Sequence, residues 1–176
     1  MKKHFKFFAA LSLVLVATVV LTGCEKRTDL TFKGEEGTIT FSVKESSECK
    51  ISTDDKDLRT SREQGSLVCK NFKIGIEFDD DYEYFFDSSF DKLKEARKDY
   101  DDYKVVTYSD KKAVQYFYGS YNEYEILIPV ENNKKYLLRL NVYGKEDKEQ
   151  AAKTAIKSEE VQDVLNNIKE FKATAK

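Results

Sequence analysis

The stretch from 104 to 144 constrains the fold most tightly. Runs at 104–108, 113–118, 124–130 and 135–143 are separated by Ser109-Asp110-Lys111, Gly119-Ser120-Tyr121-Asn122 and Glu131-Asn132-Asn133-Lys134. Short apolar-alternating runs joined by Gly-, Asn- and Asp-containing links are hairpin signals. They predict an antiparallel meander of four strands. In the last run Tyr136, Leu138, Leu140 and Val142 share one face, and Leu137, Arg139, Asn141 and Tyr143 the other, so both sheet faces should be at least partly covered. A link of two or four residues sets Phe117 against Tyr124 on one face. Tyr116 and Tyr118 then share the opposite face with Glu123 and Glu125. Tyr121 falls in the turn, out of reach of burial by the sheet. Pro129, which has no amide hydrogen to give a ladder, suits a strand end or edge.

Upstream, 38–43 alternates with Ile39, Phe41 and Val43 on one side, as a half-buried strand should. A second short strand is expected at 49–53, a polar surface loop at 54–65, and one long strand at 66–78. In that strand Phe72, Ile74, Ile76 and Phe78 face one way, and Lys73, Gly75 and Glu77 the other. Ser88 can cap a helix with Asp91 as box partner, carrying Phe90, Leu93, Arg97 and Tyr100 as its stripe. Asp99, Asp101 and Asp102 oppose the helix dipole and stop it by Asp101. A helix at 146–156 has a small apolar face of Ala151, Ala152, Ala155 and Ile156. Ser158 caps another, with Val161, Val164, Leu165, Ile168 and Phe171 in line; the tail beyond Phe171 should fray.

The amino terminus carries an address. Lys2, Lys3 and Lys6 precede an apolar run from 7 to 21. That run is shorter than the roughly 20 residues that span a bilayer. Basic start, short apolar run and small residues before a cut site are the pattern of an export signal. The closing Leu21-Thr22-Gly23-Cys24 resembles the bacterial lipobox at all four positions. The resemblance implies a diacylglyceryl group on the Cys24 sulfur and cleavage between Gly23 and Cys24. Two acyl chains suffice for stable anchoring, at about 0.8 kcal/mol per buried methylene. The expected organisation is a signal peptide over 1–23, a lipidated cysteine and tether over 24–37, and one α+β domain over 38–176.

Removing 1–23 takes away three lysines and His4, leaving 153 residues with 27 basic and 32 acidic side chains and no histidine. A net acidic chain lacks the footprint of a nucleic-acid binder. The loss of histidine removes Ser-His and Cys-His nucleophilic pairs and the commonest metal ligand. The sequence contains no cofactor motif. With no Trp, one Pro and abundant Lys, Asp and Tyr, the composition is that of AT-rich bacterial genomes and points to a Gram-positive source. Cys49 and Cys69 either pair, as an oxidising compartment permits, or remain buried thiols. A bridge would close a loop worth roughly 3 kcal/mol by chain entropy. Asp79-Asp80-Asp81, with Glu83, Asp87 and Asp91 behind, is either a calcium ligand set or a solvated acidic turn; its spacing does not fit an EF-hand loop.

The order of strands, helix, four-strand meander and terminal helix, with the ending Ser158-Glu159-Glu160-Val161-Gln162-Asp163-Val164-Leu165-Asn166-Asn167-Ile168-Lys169, resembles PsbP/Mog1-like domains over most of 38–171. That resemblance implies an α/β/α sandwich, one antiparallel sheet with helices packed on its faces. It supplies no catalytic residues and favours binding over chemistry; fold alone does not set function.

The expected function is therefore a membrane-anchored, extracytoplasmic, non-enzymatic binding or adaptor module. Alternatives are an immunity or shielding lipoprotein, a solute receptor, and a small hydrolase working without histidine through a carboxylate pair or a Ser/Lys dyad. The partner expected besides the membrane is an extracytoplasmic protein or wall component. Tyr118 and Tyr121 are the candidate contact surface, since tyrosine is enriched at interfaces. The competing reading is that these tyrosines merely cover a half-exposed sheet.

Overall fold

Two antiparallel sheets and three short helices build the fold of the computed structural model, which describes residues 25–79, 90–130 and 136–174. The strands are β1 (Arg27–Lys33), β2 (Gly37–Lys44), β3 (Lys50–Ser52), β4 (Gly65–Val68), β5 (Phe72–Asp79), β6 (Lys104–Tyr108), β7 (Lys111–Tyr118), β8 (Glu123–Pro129), β9 (Leu137–Gly144) and β10 (Ile168–Ala173). The helices are α1 (Phe90–Arg97), α2 (Glu149–Lys157) and α3 (Glu159–Asn166). The class is α+β with strand predominating, as expected. The larger sheet has the order β3-β4-β5-β9-β8-β7-β6, and the smaller β1-β2-β10.

The meander forms the body of the larger sheet. Ser109 and Asp110, both at positive φ (48° and 65°), make the two-residue turn from β6 to β7. That paired left-handed geometry matches the twist of the flanking strands. The link from β7 to β8 has four residues and ends on Asn122 at φ 50°, which sets Phe117 opposite Tyr124. Pro129 ends β8, where no ladder donor is needed. The Asn132-Asn133 turn lies outside the described residues.

One face of the larger sheet packs on the main core. Ile74, Ile76, Phe78, Tyr124, Ile126, Leu138, Leu140 and Val142 meet Ile39, Phe41 and Val43 of the smaller sheet, Ala152 and Ile156 of α2, and Val161, Val164 and Leu165 of α3. Gly144 lets the end of β9 pass close to α2, where a Cβ would overlap Ala151. Ser158 Oγ caps α3 by accepting from the Val161 amide at 3.2 Å. On the opposite face Leu93 of α1 packs with Val114, Tyr116, Leu127 and Leu137 in a smaller cluster. Tyr100 lies past the end of α1 and is exposed, so the stripe expected from Phe90 to Tyr100 is buried only at Leu93. The capping Ser88 is outside the described residues.

Four expectations are corrected. Residues 27–33, read as tether, form β1, paired along its length with β2. The charges of Arg27, Asp29 and Lys33 hide an alternation that buries Phe32 against the core. Residues 66–78 are two strands, not one: β4 and β5 form a hairpin closed by the Cys69 amide donating to the Phe72 carbonyl at 3.0 Å. Ile168 and Phe171 belong to β10 rather than to the last helix. Asn167 Nδ2 donates to the Asp163 carbonyl at 2.7 Å and ends α3 there. A register shift between Ile168 and Glu170 lets residues spaced like a helix reach the same core from a strand. The tail expected to fray beyond Phe171 is held as far as Thr174, with Ala173 buried opposite Gly37 and the Thr174 amide donating to the Glu36 carbonyl at 2.8 Å.

Candidate functional site

The second face of the larger sheet carries a charged layer. Along β8, Glu123 and Glu125 alternate with the core residues Tyr124 and Ile126. Register then aligns polar side chains on neighbouring strands: Tyr116 and Tyr118 of β7 oppose Glu125 and Glu123, Asn141 of β9 opposes Glu125, and Glu77 of β5 opposes Arg139. Arg139 is the hub. Its guanidinium lies 2.5 Å from Asp79 Oδ2, 3.2 Å from Glu125 Oε2 and 3.5 Å from Glu77 Oε2. Burial works against its charge, yet Glu125, Glu77 and Asp79 outweigh burial and hold it protonated, with its pKa above the ordinary value. Tyr116 donates its hydroxyl hydrogen to Glu125 and accepts from Arg97 Nε at 3.1 Å. Burial also raises the Glu77 pKa, against the pull of Arg139 and Arg62.

The 54–64 segment covers part of this layer. The sequence predicts a polar surface loop at 54–65, but Glu63 turns inward and is buried. Its Oε2 accepts from the Arg59 amide at 2.8 Å, and its Oε1 accepts from the Tyr143 hydroxyl and from Asn141 Nδ2 at 3.4 Å. Gly75 makes room for it, since a Cβ there would overlap the Glu63 carboxyl. A mid-strand glycine, ordinarily unfavourable, is thereby explained by a close approach. The Arg59 guanidinium sits 4.6 Å over the Tyr143 ring and pairs with Asp147, which accepts from Asn122 Nδ2 at 3.2 Å.

Glu123 is the anomaly. It is 0% exposed, and neither carboxyl oxygen has a hydrogen-bond partner among the described residues. Tyr143 has one phenolic hydrogen and gives it to Glu63. Burial raises the Glu123 pKa to about 7; the nearby Tyr143 hydroxyl opposes the rise, and the charges of Glu125 and Glu63 add to it. Burial likewise raises the Tyr143 pKa, with Glu123 and Glu63 adding to the effect.

Tyr118 and Tyr121 are brought together at the rim of the same face. Their ring centroids are 5.5 Å apart, Tyr118 lies 6.0 Å from Tyr100, and Tyr100 lies 4.6 Å from Tyr116. Arg97 stands 5.5 Å from the Tyr100 ring centre. Tyr100 and Tyr121 are 38% and 42% exposed, so the row is open to solvent at those two rings and ends inward on the buried Tyr116.

Cys49 and Cys69 are bonded to each other. They lie one position beyond the last β3–β4 pair, Lys50 and Val68. The bridge closes the loop that contains 54–64, and so ties down the cover of the charged layer. Gly23 and Cys24 lie outside the described residues, as do Asp80, Asp81, Glu83 and Asp87. Asp79 is engaged by Arg139, and Asp91 pairs with Lys94 at 2.7 Å. Among the described residues, none of the His, Cys, Asp and Glu side chains cluster in threes able to hold a metal ion, and no helix is long and apolar enough to cross a membrane.

The charged layer leaves only a faint trace in the sequence. Lys73, Glu77, Glu123, Glu125, Arg139 and Asn141 all sit one residue out of phase with the core. Only the pairing order, which puts β9 between β5 and β8, brings them into one patch. Compared with known families, curated proteins and solved structures, the chain matches none.

Proposed function

We propose that the protein is a lipid-anchored, extracytoplasmic binding module of a bacterial cell membrane that works without chemistry of its own. The observation that carries this reading is Leu21-Thr22-Gly23-Cys24, set behind a basic start and a short apolar run. The position of β1 adds to it. Its first residue, Arg27, follows Cys24 by three positions. At roughly 3.3–3.6 Å per extended residue, a lipid on Cys24 would hold that end of the smaller sheet within about 10 Å of the bilayer. The module would stand on the membrane rather than hang from a long leash.

The PsbP/Mog1-like reading belongs to the same proposal. It is supported by the meander, by Leu93 of α1 packing on one sheet face and by α2 and α3 packing on the other. The smaller sheet and the terminal β10 are departures from the expected plan. The partner-binding surface in this reading is Tyr118 and Tyr121. A non-enzymatic role accords with carboxylates that are buried beneath 54–64 rather than set across an open cleft.

The test is Cys24→Ala in cells fed labelled palmitate. The wild type should take up label, shift to the mature mass and fractionate with membranes; the variant should remain an unlabelled precursor. Equal labelling of both would overturn the anchor.

A further inference from the structure

The charged layer holds more carboxylates than its cations serve. Arg139 is engaged by Glu77, Asp79 and Glu125. Arg59 is engaged by Asp147 and the Tyr143 ring. Glu63 and Glu123 are left around the Tyr143 hydroxyl, whose hydrogen goes to Glu63. An ionised Glu123 would then be a wholly buried charge whose oxygens make no hydrogen bond among the described residues, with Arg59, already paired with Asp147, as a partial counter-charge. A buried group in that position neutralises rather than stays charged.

We infer that Glu123 binds a proton in the folded protein, and that this proton lets Glu63 and the 54–64 segment stay seated on the sheet near neutral pH. Burial and the neighbouring acids favour the neutral form, against the Tyr143 hydroxyl and Arg59. On its own strand Glu125 adds negative charge. On β7, Tyr118 is its cross-strand partner, and Tyr116 is committed to Glu125. On β9, Tyr143 is committed to Glu63, and Arg139 is shared by three other acids. On β5, Glu77 and Asp79 are further acids, while Lys73 turns away to the Asp57 carbonyl at 2.8 Å. In 54–64, Glu63 repels, Arg62 stands 4.0 Å from Glu77, and Arg59 offers a partial counter-charge. Arg97 of α1 is directed to Tyr116.

The sign follows from linkage. The Glu123 pKa rises from the usual 4.5 to about 7 on folding. A raised carboxyl contributes stability that is fully present below the unfolded pKa and is lost as pH rises through the folded one. The window is therefore about pH 4.5 to 7, with a plateau above it. Glu63, held by the Arg59 amide and by Tyr143, is the contact that deprotonation of Glu123 would repel. Lys56 and Arg62 place trypsin sites in the same segment.

The experiment compares wild type with Glu123→Gln in the full chain. Urea unfolding across about pH 4.5 to 8 should show the wild-type folding constant falling about 10- to 300-fold relative to the variant, then levelling. At about pH 8, trypsin should nick the wild type after Lys56 or Arg62 faster than the variant, and at about pH 5.5 no faster. Parallel pH profiles would overturn the bound proton; equal nicking at both pH values would overturn its hold on the segment. Should Glu123→Gln fail to fold, carbon-13 carboxyl titration of the wild type decides. One glutamate with a midpoint near pH 7 supports the inference, and all glutamates titrating below about pH 5.5 overturns it.

Discussion

Tyr124 and Ile126 of β8 enter the apolar core, while Glu123 and Glu125, one residue away, enter the charged layer. All four side chains are buried, yet the two faces are held together differently. On the apolar face each side chain gains by leaving water, roughly in proportion to its area and with little regard to direction or pH. On the charged face each group depends on a named partner at a set distance, and removing one leaves the others uncompensated. One face should tolerate small changes additively; the other should behave as a single coupled unit.

The sharpest way to break that contrast is Arg139→Leu. Leucine fills part of the space but leaves Glu77, Asp79 and Glu125 without their shared cation. Removing one partner of a buried ion pair costs about 3–5 kcal/mol. The Glu77 pKa, already raised by burial, should rise further without Arg139, so the loss should be greatest above neutrality and partly recovered in mild acid. Urea unfolding at acidic and alkaline pH checks both size and sign. A loss independent of pH would mean that the layer is ordinary packing.

The disulfide gives the next effect. Cys49→Ser with Cys69→Ser opens a closed loop with a sequence separation of 20. The chain-entropy estimate is roughly 3 kcal/mol. Because that loop includes Arg59 and Glu63, hydrogen exchange should rise first at residues 54–68 and reach the apolar face last. Uniform exchange across both faces would show the bridge to be a global brace instead.

Much of the apolar face was legible in the sequence, because a single strand declares which of its side chains point inward. Ile39, Phe41 and Val43 of β2 and Leu138, Leu140 and Val142 of β9 alternate without interruption. The charged face was not, because its meaning lies between strands. Glu77 and Arg139 are cross-strand partners although their chain positions are far apart, and Glu63 arrives from a segment with no period at all. The same logic explains β1 and β10. Charged residues on the outer side of β1 masked its alternation, and a bulge gave β10 the spacing of a helix. Tyr118 and Tyr121 were found as a pair because the link that joins their strand ends lies within the same short stretch.

Ile126→Val measures the apolar face with the smallest available change. Deleting one buried methyl should cost about 0.5–1.5 kcal/mol. The cost should be nearly the same across about pH 4.5 to 8, since the cluster around it is apolar apart from tyrosines, which titrate well above that range. Combined with Arg139→Leu, on the opposite face, its effect should add to within about 0.5 kcal/mol. A larger coupling energy in the double-mutant cycle would mean that the two faces are not independent.

The smallest effect on stability is expected at the rim. Tyr121 is 42% exposed and touches the sheet through the Tyr118 ring, 5.5 Å away. Tyr121→Ala should therefore change the unfolding free energy by no more than about 0.5 kcal/mol. If the row of rings is a contact surface, the change should instead appear in binding. An extracytoplasmic partner cross-linked to wild type on intact cells should be lost from Tyr121→Ala and from Tyr118→Ala/Tyr121→Ala. It should be retained by Val105→Ala, which alters another exposed apolar side chain on the edge strand β6. Truncating tyrosine removes large, rigid contact area, the kind of anchor that dominates binding energies. If the tyrosines only cover the sheet, the pattern reverses: capture is unaltered in the folded double variant, and Tyr118→Ala costs about 0.5–1.5 kcal/mol through its lost ring contacts.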